Sequence, residues 1–336
     1  MPSQLNGNLA DDQSPRVAIA QRHRAVRPSR REMLVASAAA ALAPTPRRSL
    51  TAAPAAPRLG IGFSLYGMKS LPLEQALTAC GEIGYDSVEL PVMVDWPADS
   101  ARLDAASLRR LRDVLQDTGL RLAGLMENLT LSGSVAEHSR NLERLRLAAR
   151  VGHALVPEQP PVIETILGGR PERWEEVRES FRDRLRDWAS VAAEERCVIA
   201  IKPHVAGALH TPEGAAWLIQ QVDRPQIRVA FDYSHFQLRE RTLGECLDRL
   251  LPITAFIHVK DARGTPAQFQ FLLPGEGTID YSAYWQQLAR AGFTGDLVVE
   301  VSGQIHSRPD YDPRAAARRS YAALAGAAEA AGIRRR

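Results

Sequence analysis

The chain has 336 residues, 45% hydrophobic and 24% charged, with 23 Gly, 22 Pro and 3 Cys. So few cysteines exclude a disulfide scaffold, and no apolar run approaches the ~20 residues of a membrane span once alanine-rich stretches are set aside. The net charge of +3 divides unevenly: the first 57 residues hold 8 Arg against 3 acids, which leaves 34 basic and 36 acidic residues beyond them. The main body thus lacks the basic excess of a nucleic-acid binder, and no nucleic-acid partner is expected.

Residues 1–57 read as a signal peptide and linker. Arg30-Arg31 precedes a mild apolar run from Leu34 to Ala43, then a Pro/Ala stretch containing Ala53-Pro54-Ala55. The pattern resembles a bacterial twin-arginine signal. The expectation is export to the periplasm, without a stable membrane anchor. Cys80, Cys197 and Cys246 are then expected as buried small hydrophobes, since three is odd and their spacing irregular.

From Arg58 to the end, strand-like and helix-like runs alternate eight times. The predicted pairs are Leu59–Tyr66 with Leu71–Ile83, Asp86–Val92 with Ala105–Thr118, Leu120–Glu127 with Glu137–Val151, and Pro161–Leu167 with Glu172–Glu195. Next come Cys197–His204 with Pro212–Val222 and Ile227–Asp232 with Leu243–Leu251. Ile253–Asp261, a longer loop and Tyr281–Ala291 follow, and Asp296–Ser302 with Pro313–Ala331 ends the series. Helical stripes such as Trp174, Val177, Phe181, Leu185 and Trp188 keep the 3.6 period. Gly84, Gly119, Gly152 and Gly292 each stand where a helix is expected to end. Eight units over about 270 residues predict one α/β domain, 58–336, folded as a (β/α)8 TIM barrel.

A barrel enzyme works at the C-terminal ends of its strands, and strand alternation says which residues face the axis. Lys202, Asp232, His258 and Glu300 each lie opposite in parity to their strand's bulky aliphatics. Glu164, Glu89 and Glu127 obey the same rule on the fourth, second and third strands. So many ionisable groups in one mouth would cost several kcal/mol each unless paired or bound to a metal. Asp, His and Glu are donors for a divalent ion such as Mn²⁺, Zn²⁺, Co²⁺ or Mg²⁺.

The segments Ile201-Lys202-Pro203-His204, Phe231-Asp232-Tyr233-Ser234-His235-Phe236, His258-Val259-Lys260-Asp261, Leu273–Tyr281 and Val299-Glu300-Val301-Ser302-Gly303 resemble the sugar phosphate isomerase/epimerase family, whose fold is the xylose-isomerase-like barrel. The resemblance implies one divalent metal held by a strand-five Glu, a strand-six Asp, a strand-seven His and a strand-eight Glu. Asp232, His258 and Glu300 match three of these, and Lys202 stands in place of the fourth. Either Lys202 serves as a base or donor beside the metal, or it neutralises surplus carboxylates while Glu164 supplies the missing ligand, or no metal binds. His204, His235, Lys260, Asp261 and Glu276 are expected to contact substrate, and Pro274–Gly277 to cover it.

The implied activity is sugar, keto-sugar or polyol isomerisation, epimerisation or β-elimination by proton abstraction next to a carbonyl. Glu164, Lys202 and Glu300 are the candidates to move the proton. Two other readings compete: a carbohydrate-binding barrel without activity, and an endonuclease-like phosphodiester hydrolase, which needs more His and Glu ligands than this mouth supplies.

Overall fold

The computed structural model describes residues 59–335, so the expected signal segment lies outside the described residues. Strands β1 (Leu59–Ser64), β2 (Ser87–Pro91), β3 (Arg121–Glu127), β4 (Val162–Ile166), β5 (Val198–Lys202), β6 (Ile227–Asp232) and β7 (Thr254–Val259) follow one another around a closed barrel. The hairpin β8 (Asp261–Thr265) and β9 (Gln268–Leu272) stands outside it, and β10 (Gly295–Val299) closes the ring between β7 and β1. All barrel pairs are parallel. The helices are α1 (Leu73–Ile83), α2 (Ala105–Thr118), α3 (Val135–Leu155), α4 (Trp174–Glu194), α5 (Pro212–Val222), α6 (Tyr233–Gln237), α7 (Leu243–Leu250), α8 (Tyr281–Arg290), α9 (Gly303–His306) and α10 (Pro313–Ala330). This is the expected (β/α)8 barrel.

Strand parity sorts the interior into two cores. Outward aliphatics such as Ile199, Ile201, Val229, Ile257 and Val299 pack with Trp188, Trp285 and Phe181 in the shell between sheet and helices. Inside the barrel, Ala200, Ala230, Phe256 and Val298 form a separate apolar layer. Small residues on β5 and β6 make room for the Phe256 ring, which fills the axis and meets the His258 ring edge-on at 4.9 Å between centroids. The charged site stands on that layer.

Two expectations about glycine and loops need correction. Gly84, Gly119 and Gly292 do adopt positive φ at helix ends. Gly152 does not; α3 runs on to Leu155, and a Cβ at 152 would collide with the Pro161 ring. The segment after β7 is also no plain loop, because residues 261–272 pair as an antiparallel hairpin. Among the described residues no helix is long and apolar enough to cross a membrane.

Candidate active site

Adjacent strands deliver the charged side chains to one place. Asp232 ends β6 and pairs in register with His258 on β7. Glu300 lies one residue past β10, its backbone N–H donating to the Val259 carbonyl at 3.1 Å and so prolonging the ladder. Lys202 ends β5 beside Ile166, with Glu164 two residues earlier on β4. Parity therefore turns Glu164, Lys202, Asp232, His258 and Glu300 towards the axis, and all are buried.

Lys202 sits at the centre. Its Nζ donates to Glu300 Oε1 at 3.1 Å and to His258 Nδ1 at 3.0 Å. Glu164 Oε1 lies 3.1 Å from the same ammonium. His258 Nε2 donates to Glu89 Oε2 at 2.9 Å, so both ring nitrogens are engaged. Lys260 Nζ donates to both Asp232 Oδ2 and Glu300 Oε2. The other Asp232 oxygen accepts from the Ser234 hydroxyl at 2.6 Å and its N–H at 3.1 Å. His235 Nδ1 accepts the Val205 N–H at 3.3 Å, which leaves its Nε2 turned towards Asp232 at 3.5 Å.

The environment separates these groups electrostatically. Burial raises the Glu164 carboxyl to about 7, although the Lys202 ammonium pulls the other way. Burial also works against ionised Glu300, but the Lys202 and Lys260 ammoniums beside it prevail and hold its carboxyl well below the usual range. Burial opposes the charge on Lys202, yet Glu164 and Glu300 outweigh it and keep the side chain an ammonium. With these partners the Lys202 side chain is a cationic hydrogen-bond donor. Burial pushes His204 down to about 4 and holds His235 well below its ordinary value, so both imidazoles are neutral.

A cavity of about 110 Å³ opens above this cluster, lined by Lys202, Lys260, Glu300, His204, His235 and Phe271, among others. The His204 and His235 rings lie 4.3 Å apart between centroids and are tilted by 47° to each other, and Phe271 from β9 meets His235 at 5.1 Å. Asp232, His258 and Glu164 do not line it; they lie behind the two lysines.

Two expected substrate contacts are placed elsewhere. Asp261 accepts the N–H groups of Gly275 (2.7 Å) and Ile279 (3.1 Å), pinning the loop after the hairpin. Glu276 is exposed; it caps the Leu273 N–H at 3.1 Å and pairs with Arg319 at 3.4 Å. The Pro274–Gly277 turn is therefore a tethered loop that does not line the cavity, and Phe271 from the hairpin covers it instead. Glu127 is also apart from the central cluster, held by Arg144 at 2.6 Å, while Arg144 reaches Asp99 at 2.8 Å. Tyr66 and Asn128 line the cavity without having been singled out, and Ser302, named only within the Val299–Gly303 segment, lines it too.

The donor set suits a divalent cation. Asp232, His258 and Glu300 each offer a ligand atom within 4.8 Å of the others, and so do Glu89, Glu164 and His258. The expected four ligands thus fall into two groups that share His258, with Lys202 beside Glu164 and Glu300. Glu89 Oε1 is buried without a hydrogen-bond partner, and Glu164 Oε1 is buried with only the Lys202 ammonium beside it, at 3.1 Å. Fully ionised, the four carboxylates Glu89, Glu164, Asp232 and Glu300 would outnumber the two ammoniums by two; burial raises Glu164 to about 7 and the Glu89 carboxylate, against burial, raises His258, so protons share in offsetting that surplus. A dication would balance that surplus, which is costly to bury alone.

A family profile described as a xylose isomerase-like TIM barrel matches residues 77–326. A human protein named as a candidate hydroxypyruvate isomerase is 28% identical over 242 residues, covering 66% of this chain and 81% of its own. A 3-dehydro-D-guloside 4-epimerase of Escherichia coli K12 is 27% identical over 150 residues, or 44% of this chain and 53% of its own. The solved structure of the IOLI protein with a zinc atom superposes with a TM-score of 0.65 at 19% identity, over 81% of this chain and 98% of that one. Profile, topology and the axial charged cluster agree, and the chain belongs to the xylose isomerase-like TIM barrel family.

Proposed function

We propose that the protein is a carbohydrate isomerase or epimerase that moves a proton next to a carbonyl, with β-elimination the variant of the same chemistry. The observation that carries this reading is the convergence of Glu164, Glu300, Asp232, His258 and two lysines at one small, buried mouth. Relatives named as isomerase and epimerase support it. The leader sequence supports export, which favours an unphosphorylated sugar met in the periplasm.

Asp232, His258 and Glu300 would hold a divalent ion, and Glu164 is the further carboxylate within reach of the shared imidazole. Such an ion supplies Lewis-acid polarisation of a substrate carbonyl. The chain's own groups do the rest. Lys202 and Lys260 present N–H donors to substrate oxygens where negative charge develops, pre-aligned by the carboxylates that hold them. Glu300 lines the cavity as a carboxylate and is placed to take a substrate proton. Neutral His204 and His235 offer hydrogen bonds to hydroxyls without adding charge. Phe271 and the Tyr66 ring narrow the opening and limit water.

The test is turnover of a panel of keto-sugars and keto-glycosides by the mature protein, with metal content measured on the same sample. Turnover together with a bound divalent ion is expected. Failure on the whole panel with Mn²⁺, Zn²⁺, Co²⁺ and Mg²⁺ each supplied would overturn the reading. Glu164→Gln, which keeps volume and removes charge, is expected to lower metal affinity or turnover at least about tenfold, ~1.4 kcal/mol. A variant indistinguishable from wild type in both would remove Glu164 from the site.

A further inference from the structure

The donors suited to a divalent ion are already engaged by side chains of the same chain. Lys202 Nζ donates to His258 Nδ1 at 3.0 Å and to Glu300 Oε1 at 3.1 Å. Lys260 Nζ takes Asp232 Oδ2 and Glu300 Oε2. The remaining oxygen, Asp232 Oδ1, accepts from the Ser234 hydroxyl and N–H. Two ammoniums thus hold the atoms that a cation would need.

Of the two, Lys202 is in direct conflict with coordination. His258 Nε2 donates its proton to Glu89, so Nδ1 carries the ring's one available lone pair. That pair accepts one hydrogen bond or ligates one cation, not both. Coordination through His258 therefore requires Lys202 to leave the ring, and repulsion between like charges on a shared Glu300 acts in the same direction. Glu164 gives the ammonium somewhere to stay. Its Oε1 lies 3.1 Å from Lys202 Nζ and is buried with no other partner. Lys260 has no such reserve, since its further neighbour is the Phe271 ring at 4.9 Å, which carries no charge.

We propose that Lys202 is an exchangeable internal cation, which yields His258 and Glu300 to the divalent ion and keeps Glu164. Glu164 is then a positioning residue that acts on the ion through Lys202 and not as a ligand. This rests on the metal-dependent reading above and adds to it. The lysine that replaces the strand-five acid weakens the ion's hold, and Glu164 relieves part of that competition.

The test is a double-mutant cycle on ion affinity, read by titration calorimetry with Mn²⁺ and, separately, Zn²⁺ on chelator-stripped protein. Lys202→Met is expected to bind the ion at least about tenfold more tightly than wild type, within the usual range for coupled charges. Glu164→Gln is expected to bind it about tenfold more weakly, and to have no effect once Lys202→Met is present. Lys202→Gln, whose amide still donates to the same carboxylates, takes the place of Lys202→Met should that variant fail to fold. In wild-type crystals soaked in Mn²⁺, Lys202 Nζ is expected away from His258 Nδ1 and within hydrogen-bond distance of Glu164. Affinity unchanged or lowered on removing Lys202, or a Glu164→Gln loss that persists in the double variant, would overturn the exchange while leaving the metal-dependent reading in place. Absence of binding by the wild type and every variant would overturn both. The full cycle without turnover of any keto-sugar would uphold the exchange and count against the isomerase reading.

Discussion

Lys202 shows how one residue sets the character of the site. Its ammonium is 3% exposed and lies 3.0–3.1 Å from His258, Glu164 and Glu300. Removing one partner of such a buried ion cluster leaves uncompensated charge, which costs about 3–5 kcal/mol. Lys202→Met, of similar length, is expected to lose that much stability in urea denaturation at neutral pH. A loss under about 1 kcal/mol would mean that the carboxylates do not depend on Lys202. His204 gives a second residue-scale prediction. An unfolded histidine takes up a proton below about pH 6.5, whereas burial keeps folded His204 neutral down to about 4. The unfolded chain therefore binds more protons between those values, and stability falls as pH drops through that window, by up to roughly 3 kcal/mol. His204→Gln is expected to flatten the pH dependence of the unfolding free energy between pH 7 and 4.5; an unchanged slope would contradict the assignment. Parity made Glu164, Lys202, Asp232, His258 and Glu300 legible from sequence, since strand period fixes the facing side. Glu89 obeyed the same parity but lay outside the matching motifs, and its bond to His258 depends on two strands that are distant in sequence. Asp261 misled because an acid beside a functional strand end looks the same whether it binds substrate or anchors a loop.

At the scale of elements, the hairpin after β7 changes what covers the cavity. Gln268-Phe269-Gln270-Phe271 has the two-residue alternation of a strand, so a strand signal was present. The turn was not legible, because Pro266-Ala267 lacks the Asn-Gly or Gly-X chemistry that marks two-residue hairpins. In the structure Thr265 pairs with Gln268 across that turn, and the pairing runs back to Asp261 with Leu272. The register directs Phe271 inwards, under the Lys260 ammonium at 4.9 Å and against His235 at 5.1 Å. Its backbone N–H donates to the Gln304 side chain at 2.8 Å, which fastens the hairpin to α9. A cation over an aromatic ring is worth about 0.5–2 kcal/mol, and the ring also forms one wall of the cavity. Phe271→Ala is expected to raise KM about tenfold for the substrate identified by the panel, with a smaller effect on kcat. Unchanged KM would show that the hairpin plays no part in binding.

The whole barrel was legible because its strands are buried on two faces of opposite character. Bulky aliphatics of β5, β6, β7 and β10 face the helices, while the axis takes Ala200, Ala230, Phe256 and Val298 in one layer and the charged groups at the strand ends. That split also determines how a bound ion would act on stability. Asp232, His258 and Glu300 come from β6, β7 and the end of β10, which are consecutive staves in the closed ring. In the unfolded chain these three residues are separated in sequence by tens of positions and form no joint site, so a cation binds the native state alone. Binding then stabilises by mass action, about 2.7 kcal/mol at a free ion concentration 100 times Kd. For a domain of this size each kcal/mol moves Tm by about 2–4 °C, so the full effect is roughly 5–10 °C. Calorimetry on protein stripped with a chelator, then resupplied with Mn²⁺, Zn²⁺, Co²⁺ or Mg²⁺ in turn, is expected to show that rise for at least one ion. Asp232→Asn withdraws a charged donor while keeping the side chain's shape, and is expected to abolish the rise. A Tm indifferent to all four ions would mean that the two ammoniums alone balance the carboxylates, and that Asp232, His258 and Glu300 serve substrate directly.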